Sequence, residues 1–398
     1  MRVLVGWDDV AQADLISLYL SVEASEIVVT TEPEKLIAEV RRSGDWDVIL
    51  MTTHMPDIDG SYAVFNRIRH HRPGCPIVCA CESQDVFRMA KFMGGGMRTY
   101  VLRDAGAEFI FLLQATLETV VSAVHNEREQ KIAERLREEI DSVRKLQESI
   151  IPKDIVTPPG YSICARYEPS QVKVMGGQPI VMAGGDYYDV FRLDDSHIVV
   201  LVGDASGHGM KACMSIMTMH TLVRMVRNRQ YEDPAMFVVE INRQLCEQSI
   251  VSSEGGFITM LYGVLNTDHH VLQWCSAGHP PPLLQNLERN EVIALASDDA
   301  GGLPLAITPE ADYETHTSPV PPGSRLLLYT DGLIEAFPDG EDEHTEFGVR
   351  GIHDTLRRLR SSPVADAFEA LFDESHAFTK GSGRHDDTSI VLLEHASQ

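Results

Sequence analysis

Ile198-Val199-Val200-Leu201-Val202-Gly203-Asp204-Ala205-Ser206-Gly207-His208-Gly209 is an apolar run that stops at a carboxylate and then turns on glycines. The β-branched run reads as a buried strand. A rigid strand ending beside glycine turns can present a side chain into a cleft. Three more acidic motifs share this pattern: Ala183-Gly184-Gly185-Asp186-Tyr187-Tyr188-Asp189, Leu328-Tyr329-Thr330-Asp331-Gly332-Leu333-Ile334-Glu335 and Arg384-His385-Asp386-Asp387-Thr388-Ser389-Ile390-Val391. Alone, a D-G is commonly a turn and a D-D a solvated loop. Four such motifs in one stretch are far more specific. Hard carboxylate oxygens without an accompanying Cys/His set suit Mg²⁺ or Mn²⁺ rather than zinc.

Around these motifs, after Pro158-Pro159-Gly160, strand-like segments run over 161–167, 257–265, 271–275, 325–329 and 390–393. Helical stretches over 211–229 and 234–248 interrupt them. Strands with grouped helices read as α+β, a sheet or sheets covered by helices. Upstream, from about residue 107 to Ile150, there is no Gly or Pro, and Pro152 ends the stretch. Ile132, Leu136, Val143, Leu146 and Ile150 recur at spacings of four, seven, three and four, an a/d seam with Glu139 in one d position. A solvated linker helix is the plain alternative; the apolar stripe favours pairing with a second copy.

The first hundred residues alternate short apolar runs with amphipathic stretches. The runs are Val3-Leu4-Val5, Ile27-Val28-Val29, Val48-Ile49-Leu50-Met51, Ile77-Val78-Cys79-Ala80 and Tyr100-Val101-Leu102. This is the pattern of buried parallel strands with crossover helices, a small doubly wound α/β domain.

Length agrees with several domains: 398 residues at roughly 150 per domain give two to three. The apolar fraction of 43% and charged fraction of 23% are globular. Lys plus Arg number 34 against 59 Asp plus Glu, a formal charge of −25. So acidic a chain is a poor general ligand for nucleic acid or an anionic membrane. The seven cysteines are scattered with no C-x-x-C pair, which speaks against a zinc ribbon or disulfide framework. The N-terminus lacks a signal peptide's apolar core and no run approaches 18 apolar residues, so a cytoplasmic location is expected.

The first 106 residues resemble a response-regulator receiver. Asp8-Asp9 follows the first strand, and Met55-Pro56-Asp57-Ile58-Asp59-Gly60 follows the third, as in that family's M-P-x-x-D-G. The position of the phosphate-accepting Asp is Thr52, the family's Thr/Ser is Cys81, and its Lys is Arg103. An acyl phosphate needs a carboxylate nucleophile, so the expectation is a degenerate receiver that acts by contacts alone.

The four acidic motifs, with Leu146-Gln147-Glu148-Ser149-Ile150-Ile151-Pro152, Ser276-Ala277-Gly278-His279-Pro280-Pro281-Pro282 and Gly302-Leu303-Pro304-Leu305, resemble the metal-dependent protein phosphatase 2C-like family. The similarity is to its stage II sporulation protein E and stress-response branch. The resemblance implies an α+β β-sandwich flanked by helices and two Mn²⁺ or Mg²⁺ ions. Asp204 would bridge both metals, Ala205 would offer its carbonyl, and Asp331, Asp386 and Asp186 would be further ligands, with Asp387 kept beside Asp386. Catalysis would rest on Asp204, Asp331 and Asp386: water activated between the ions hydrolyses a phosphoserine or phosphothreonine ester. The implied substrate is a phosphorylated anti-sigma-factor antagonist. His208 is a candidate acid, but a structural role in its glycine turn is the stronger reading. Residues 171–182 form an insertion, a flap or a lengthened hairpin. A pseudophosphatase would lack carboxylates, and none is missing. The expected layout is a pseudo-receiver over 1–106, a helical coiled-coil dimerisation linker over 107–151 and a phosphatase domain over 152–398.

Overall fold

The computed structural model describes residues 1–21, 26–42, 44–104, 108–172, 180–181, 184–207, 209–227, 233–252, 255–296, 301–338, 345–381 and 385–397. It divides into two compact units, Met1–Leu136 and Arg137–Gln398.

In the first unit, strands β1 (Arg2–Gly6), β2 (Glu26–Thr30), β3 (Val48–Thr52), β4 (Ile77–Cys81) and β5 (Thr99–Leu102) form one sheet. Its order is β2-β1-β3-β4-β5, every pair parallel. Helices α1 (Val10–Leu20), α2 (Pro33–Arg41), α3 (Ser61–His71) and α4 (Met89–Gly94) connect the strands, and α5 (Ile110–Ile150) follows them. The apolar runs became strands because both faces of the sheet are covered. Leu4, Ile49 and Met51 pack with Leu36, Phe65 and Phe92 on one side. Val3, Val5 and Leu50 pack with Ile16, Leu113 and Leu117 on the other.

Helix α5 is 41 residues long. Ile110, Leu113, Leu117 and Val120 bury against the first sheet. Of the stripe, Ile132, Leu136 and Leu146 are exposed and Val143 is half-buried. Ile150 departs from the expected seam: it packs on the core of the second unit, because the last turn faces that body. No helix among the described residues is long and apolar enough to cross a membrane.

The second unit begins with β6 (Tyr161–Glu168), then β7 (Gln171–Val172), β8 (Ile180–Val181), β9 (Asp186–Arg192) and β10 (His197–Ala205). Helices α6 (Met210–Val226), α7 (Pro234–Cys246) and α8 (Ser249–Ser252) precede β11 (Ile258–Asn266) and β12 (Val271–Ala277). Next come β13 (Leu283–Asn286), β14 (Glu291–Ala294), β15 (His316–Pro319), β16 (Ser324–Tyr329), α9 (Gly348–Arg358), α10 (Val364–Phe378) and β17 (Thr388–His395). Two antiparallel sheets result, ordered β15-β12-β11-β10-β9 and β14-β13-β16-β17-β6. The short pair β7-β8 lies within the insertion, whose residues 173–179 and 182 lie outside the described residues.

The two-residue period of a strand sorts the side chains. Val200 and Val202 join Leu326, Leu328, Val391 and Leu393 in a core shared by both sheets. Val199 and Leu201 point the other way, to α6 and α7. Leu327 and Leu392 pack on α9 and α10.

Candidate active site

The same period places the acids. Asp204 shares the inner face of β10 with Val200 and Val202, and the register sets Asp186 of β9 directly opposite it. Thr330 continues the inner face of Leu326 and Leu328, and Ser389 and Asp387 continue that of Val391 and Leu393. Where the apolar layer runs out, polar residues of both sheets meet. Asp189, three places after Asp186, falls on the opposite face. It pairs there with Arg224 at 3.1 Å and accepts from the Tyr187 hydroxyl at 2.9 Å.

Each acid is held differently. Asp186 is buried, and its Oδ2 accepts from the Thr330 hydroxyl at 2.6 Å. Burial, with Asp204 beside it, pushes its carboxyl well above the usual range. Asp204 is raised by burial and then by Asp331 and Asp386. Asp386 is pushed up to about 7, chiefly by burial. Asp331 is also raised by burial, and its Oδ1 is buried with no hydrogen-bond partner. Such a group is costly unless something pairs with it.

Asp387 is spent on protein donors. Its Oδ1 accepts from Ser170 N–H at 2.7 Å and from the Tyr167 hydroxyl at 3.4 Å, and its Oδ2 accepts from Gly185 N–H at 2.6 Å. Asp386 Oδ1 instead accepts the Asp387 N–H at 2.8 Å. Glycine is needed here for space: a Cβ on Gly185 would lie 2.8 Å from the Ala205 carbonyl oxygen and 3.1 Å from Asp204 Oδ1.

These features fit hard divalent cations. The donors are carboxylate and carbonyl oxygens, one buried oxygen lacks a partner, and Gly185 leaves the Asp204–Ala205 edge open. Among the described residues, no three of these carboxylates bring oxygens within 4.8 Å of one another.

Three partners were not legible as site residues. Thr330 ties Asp186 to β17, since it also accepts Ser389 N–H at 2.8 Å. Gln147, fully buried near the end of α5, accepts Gly184 N–H at 2.8 Å and donates to Gly184 C=O at 3.0 Å. His279 bridges the sheets, with Nε2 at 3.0 Å from the Tyr329 carbonyl and Nδ1 at 3.0 Å from the Thr259 hydroxyl. A carbonyl only accepts, so Nε2 carries the proton and Nδ1 accepts. The sequence signals were the motifs that contain them, L-Q-E-S for Gln147, A-G-H-P for His279 and T-D-G for Thr330, none of which marked these side chains as part of the site. His208 lies outside the described residues.

In the first unit, Arg103 donates to Asp8 Oδ1 at 2.5 Å and Oδ2 at 2.9 Å, and to Glu82 at 3.1 Å. Thr52 stands at the end of β3, buried.

Residues 3–112 match the family model described as response regulator receiver domain, and residues 194–396 that of stage II sporulation protein E. The protein IcfG of Synechocystis is 22% identical over 280 residues, 65% of this chain and 41% of that protein. The phosphoserine phosphatase RsbU of Bacillus subtilis is 29% identical over 210 residues, 48% of this chain and 60% of its own length. The chain thus spans 41% to 60% of the curated relatives it matches. Among solved structures, the SiaA-PP2C domain of Pseudomonas aeruginosa gives a TM-score of 0.54 at 19% identity, covering 66% of this chain and 98% of that one. The RsbU and RsbW domains of a Mycobacterium tuberculosis protein give 0.50 at 24%, covering 62% and 63%. These likenesses establish a PP2C-type fold in the second unit. With one family model matching just over half of its length, the chain belongs to the stage II sporulation protein E family, and it carries a response-regulator receiver domain at its N-terminal end.

Proposed function

We propose that this protein is a metal-dependent serine/threonine phosphatase. Its substrate would be a phosphorylated regulatory protein of the anti-sigma-factor-antagonist class, and the degenerate receiver would control it. The observation that carries this reading is the gathering of Asp186, Asp204, Asp331 and Asp386 at one end of the inner layer, with Asp331 Oδ1 unpartnered. A phosphomonoester is itself an anion, so these carboxylates in their ionised form would repel it. Counter-cations are therefore needed.

Asp204, the Ala205 carbonyl, Asp331 and Asp386 would hold two Mn²⁺ or Mg²⁺ ions. Such ions, when bound, supply Lewis acidity toward the ester and its attacking water. Asp186 holds its carboxylate in place through Thr330. Asp387, which accepts from the Ser170 and Gly185 N–H groups and the Tyr167 hydroxyl, would position the Gly184-Gly185 turn beside the ligand set. RsbU, a phosphoserine phosphatase by name, supports the substrate chemistry. The exposed Ile132, Leu136 and Leu146 support pairing of α5 with a second copy. The proposed layout is a pseudo-receiver over 1–106, a linker over 107–151 and a phosphatase over 152–398.

The test is phosphate release from a phosphoserine protein by the full chain. Turnover should require Mn²⁺ or Mg²⁺ and vanish in Asp204→Asn. Undiminished turnover in excess chelator overturns the reading.

A further inference from the structure

The first unit holds a second group of metal-ligand side chains. His54 lies just past β3, Glu82 just past β4, and Asp85 in the turn Ser83–Arg88. One ligand atom from each lies within 4.8 Å of the others. All three stand past the carboxyl ends of parallel strands, where open α/β sheets bind ligands.

Asp85 supplies an independent observation. It is only 5% exposed, and its Oδ2 has no hydrogen-bond partner, facing His54 Nε2 at 3.4 Å. Its other oxygen is 4.0 Å from Arg88. Arg88 is itself engaged, donating to the Ile58 carbonyl at 2.9 Å and to Asp59 at 3.3 Å. A buried carboxylate oxygen left unmade costs free energy that a bound ion would recover.

The surrounding charge leaves room for a dication. Asp8, Asp59, Glu82 and Asp85 face two guanidiniums, Arg88 and Arg103. Glu82 keeps its orientation through Arg103 at 3.1 Å and the Gln84 amide at 2.9 Å. Hydrogen-bonded carboxylates of this kind are usual among metal ligands. The backbone N–H of His54 donates to the Thr52 hydroxyl at 3.2 Å, which fixes the start of the loop. One imidazole and two carboxylates suit a borderline ion more than Mg²⁺, which prefers oxygen alone. Three ligands leave a coordination position open.

The geometry points to a binding site for a divalent transition-metal ion of the zinc class, held by His54, Glu82 and Asp85 in the pseudo-receiver. A receiver that cannot take phosphate would then have an ion as its input.

The experiment is Zn²⁺ titration of the chelator-stripped full chain in competition with a chromophoric chelator. Wild type should bind one equivalent that His54→Gln and Asp85→Asn bind more weakly, by more than the roughly 10–100-fold seen when an outer-shell partner is lost. Asp204→Asn should retain that equivalent. Wild-type Zn²⁺ affinity in both His54→Gln and Asp85→Asn overturns the site, as does loss of all tight Zn²⁺ binding in Asp204→Asn. Should either first-unit variant fail to fold, the wild type still decides through the NMR signals of its imidazole nitrogens. One ring must move to metal-bound shifts with the first equivalent of Zn²⁺; if none does, the inference fails.

Discussion

Replacing Gln147 by Leu tests whether the end of α5 holds the site together. The Gln147 amide accepts Gly184 N–H at 2.8 Å and donates to Gly184 C=O at 3.0 Å, with Asp186 C=O at 3.4 Å. Leucine fills similar space but pairs with neither Gly184 group. Each buried backbone group left unpaired costs about 1–3 kcal/mol, so the loss for the two is roughly 2–6 kcal/mol. Part of it falls on folding and part on the geometry of Gly185 and Asp186. About 1.4 kcal/mol taken from the reactive geometry is a tenfold loss of kcat. The expected result in saturating Mn²⁺ is a kcat lowered about tenfold or more, a smaller change in KM, and a lower urea midpoint. Ser149→Ala, two residues away and exposed, should leave both readouts near wild type. A Gln147→Leu enzyme with wild-type kcat and midpoint would refute the role given to this amide.

Four other outcomes are expected. Asp386→Asn should weaken Mn²⁺ binding in calorimetry with little loss of stability, whereas Asp387→Asn should lower the unfolding free energy by about 1–3 kcal/mol, because one buried N–H then faces an amide NH₂. Acetyl phosphate should add no phosphoryl group within residues 1–106, read by intact mass and peptide mapping, since Thr52 offers no carboxylate. His279, fully buried, has its imidazole pushed down to about 4 by burial; the unfolded chain therefore binds this proton first, and stability present above pH ~6.5 is lost as pH falls toward ~4, on the order of 3 kcal/mol, so His279→Gln should flatten the acid limb of a urea-unfolding series. Leu136→Asp/Leu146→Asp should convert a dimer to a monomer in light scattering, and an unchanged dimer would remove the linker from the account.

What the sequence disclosed follows from where burial writes a pattern. Val48-Ile49-Leu50-Met51 and Ile198 to Val202 are continuous apolar runs because both faces of their strands are covered, so they were legible. Asp186, Asp204 and Asp331 were legible because each sits beside a glycine that clears space, Gly185 and Gly332 most plainly. The α9 helix was not, since Arg350, Asp354, Arg357 and Arg358 hide its single apolar stripe of Ile352 and Leu356. Thr330 and Gln147 escaped because a lone polar residue carries no sign of burial; only the register of β16 on β17 and the facing of the last α5 turn bring them to the acids. Asp386 and Asp387 could not be separated from spacing alone. Their difference lies in which backbone N–H groups point at each, a tertiary fact.

The two acidic pockets meet opposite electrostatic fates. Asp8 is partly buried, which raises a carboxyl, yet the bidentate Arg103 reverses the effect and holds it below the usual range. The guanidinium stands where a receiver's lysine would, and its charge satisfies Asp8 without an ion. No such cation reaches Asp186 or Asp204 among the described residues, and their neighbours are further acids. Burial and crowding therefore raise them. Arg103 thus neutralises Asp8 within the chain. In the proposed function divalent cations would offset the acids of the second unit. In the proposed reading the same residue type is a fixed strut at Asp8 and an ion ligand at Asp204, according to whether a guanidinium of the chain stands beside it.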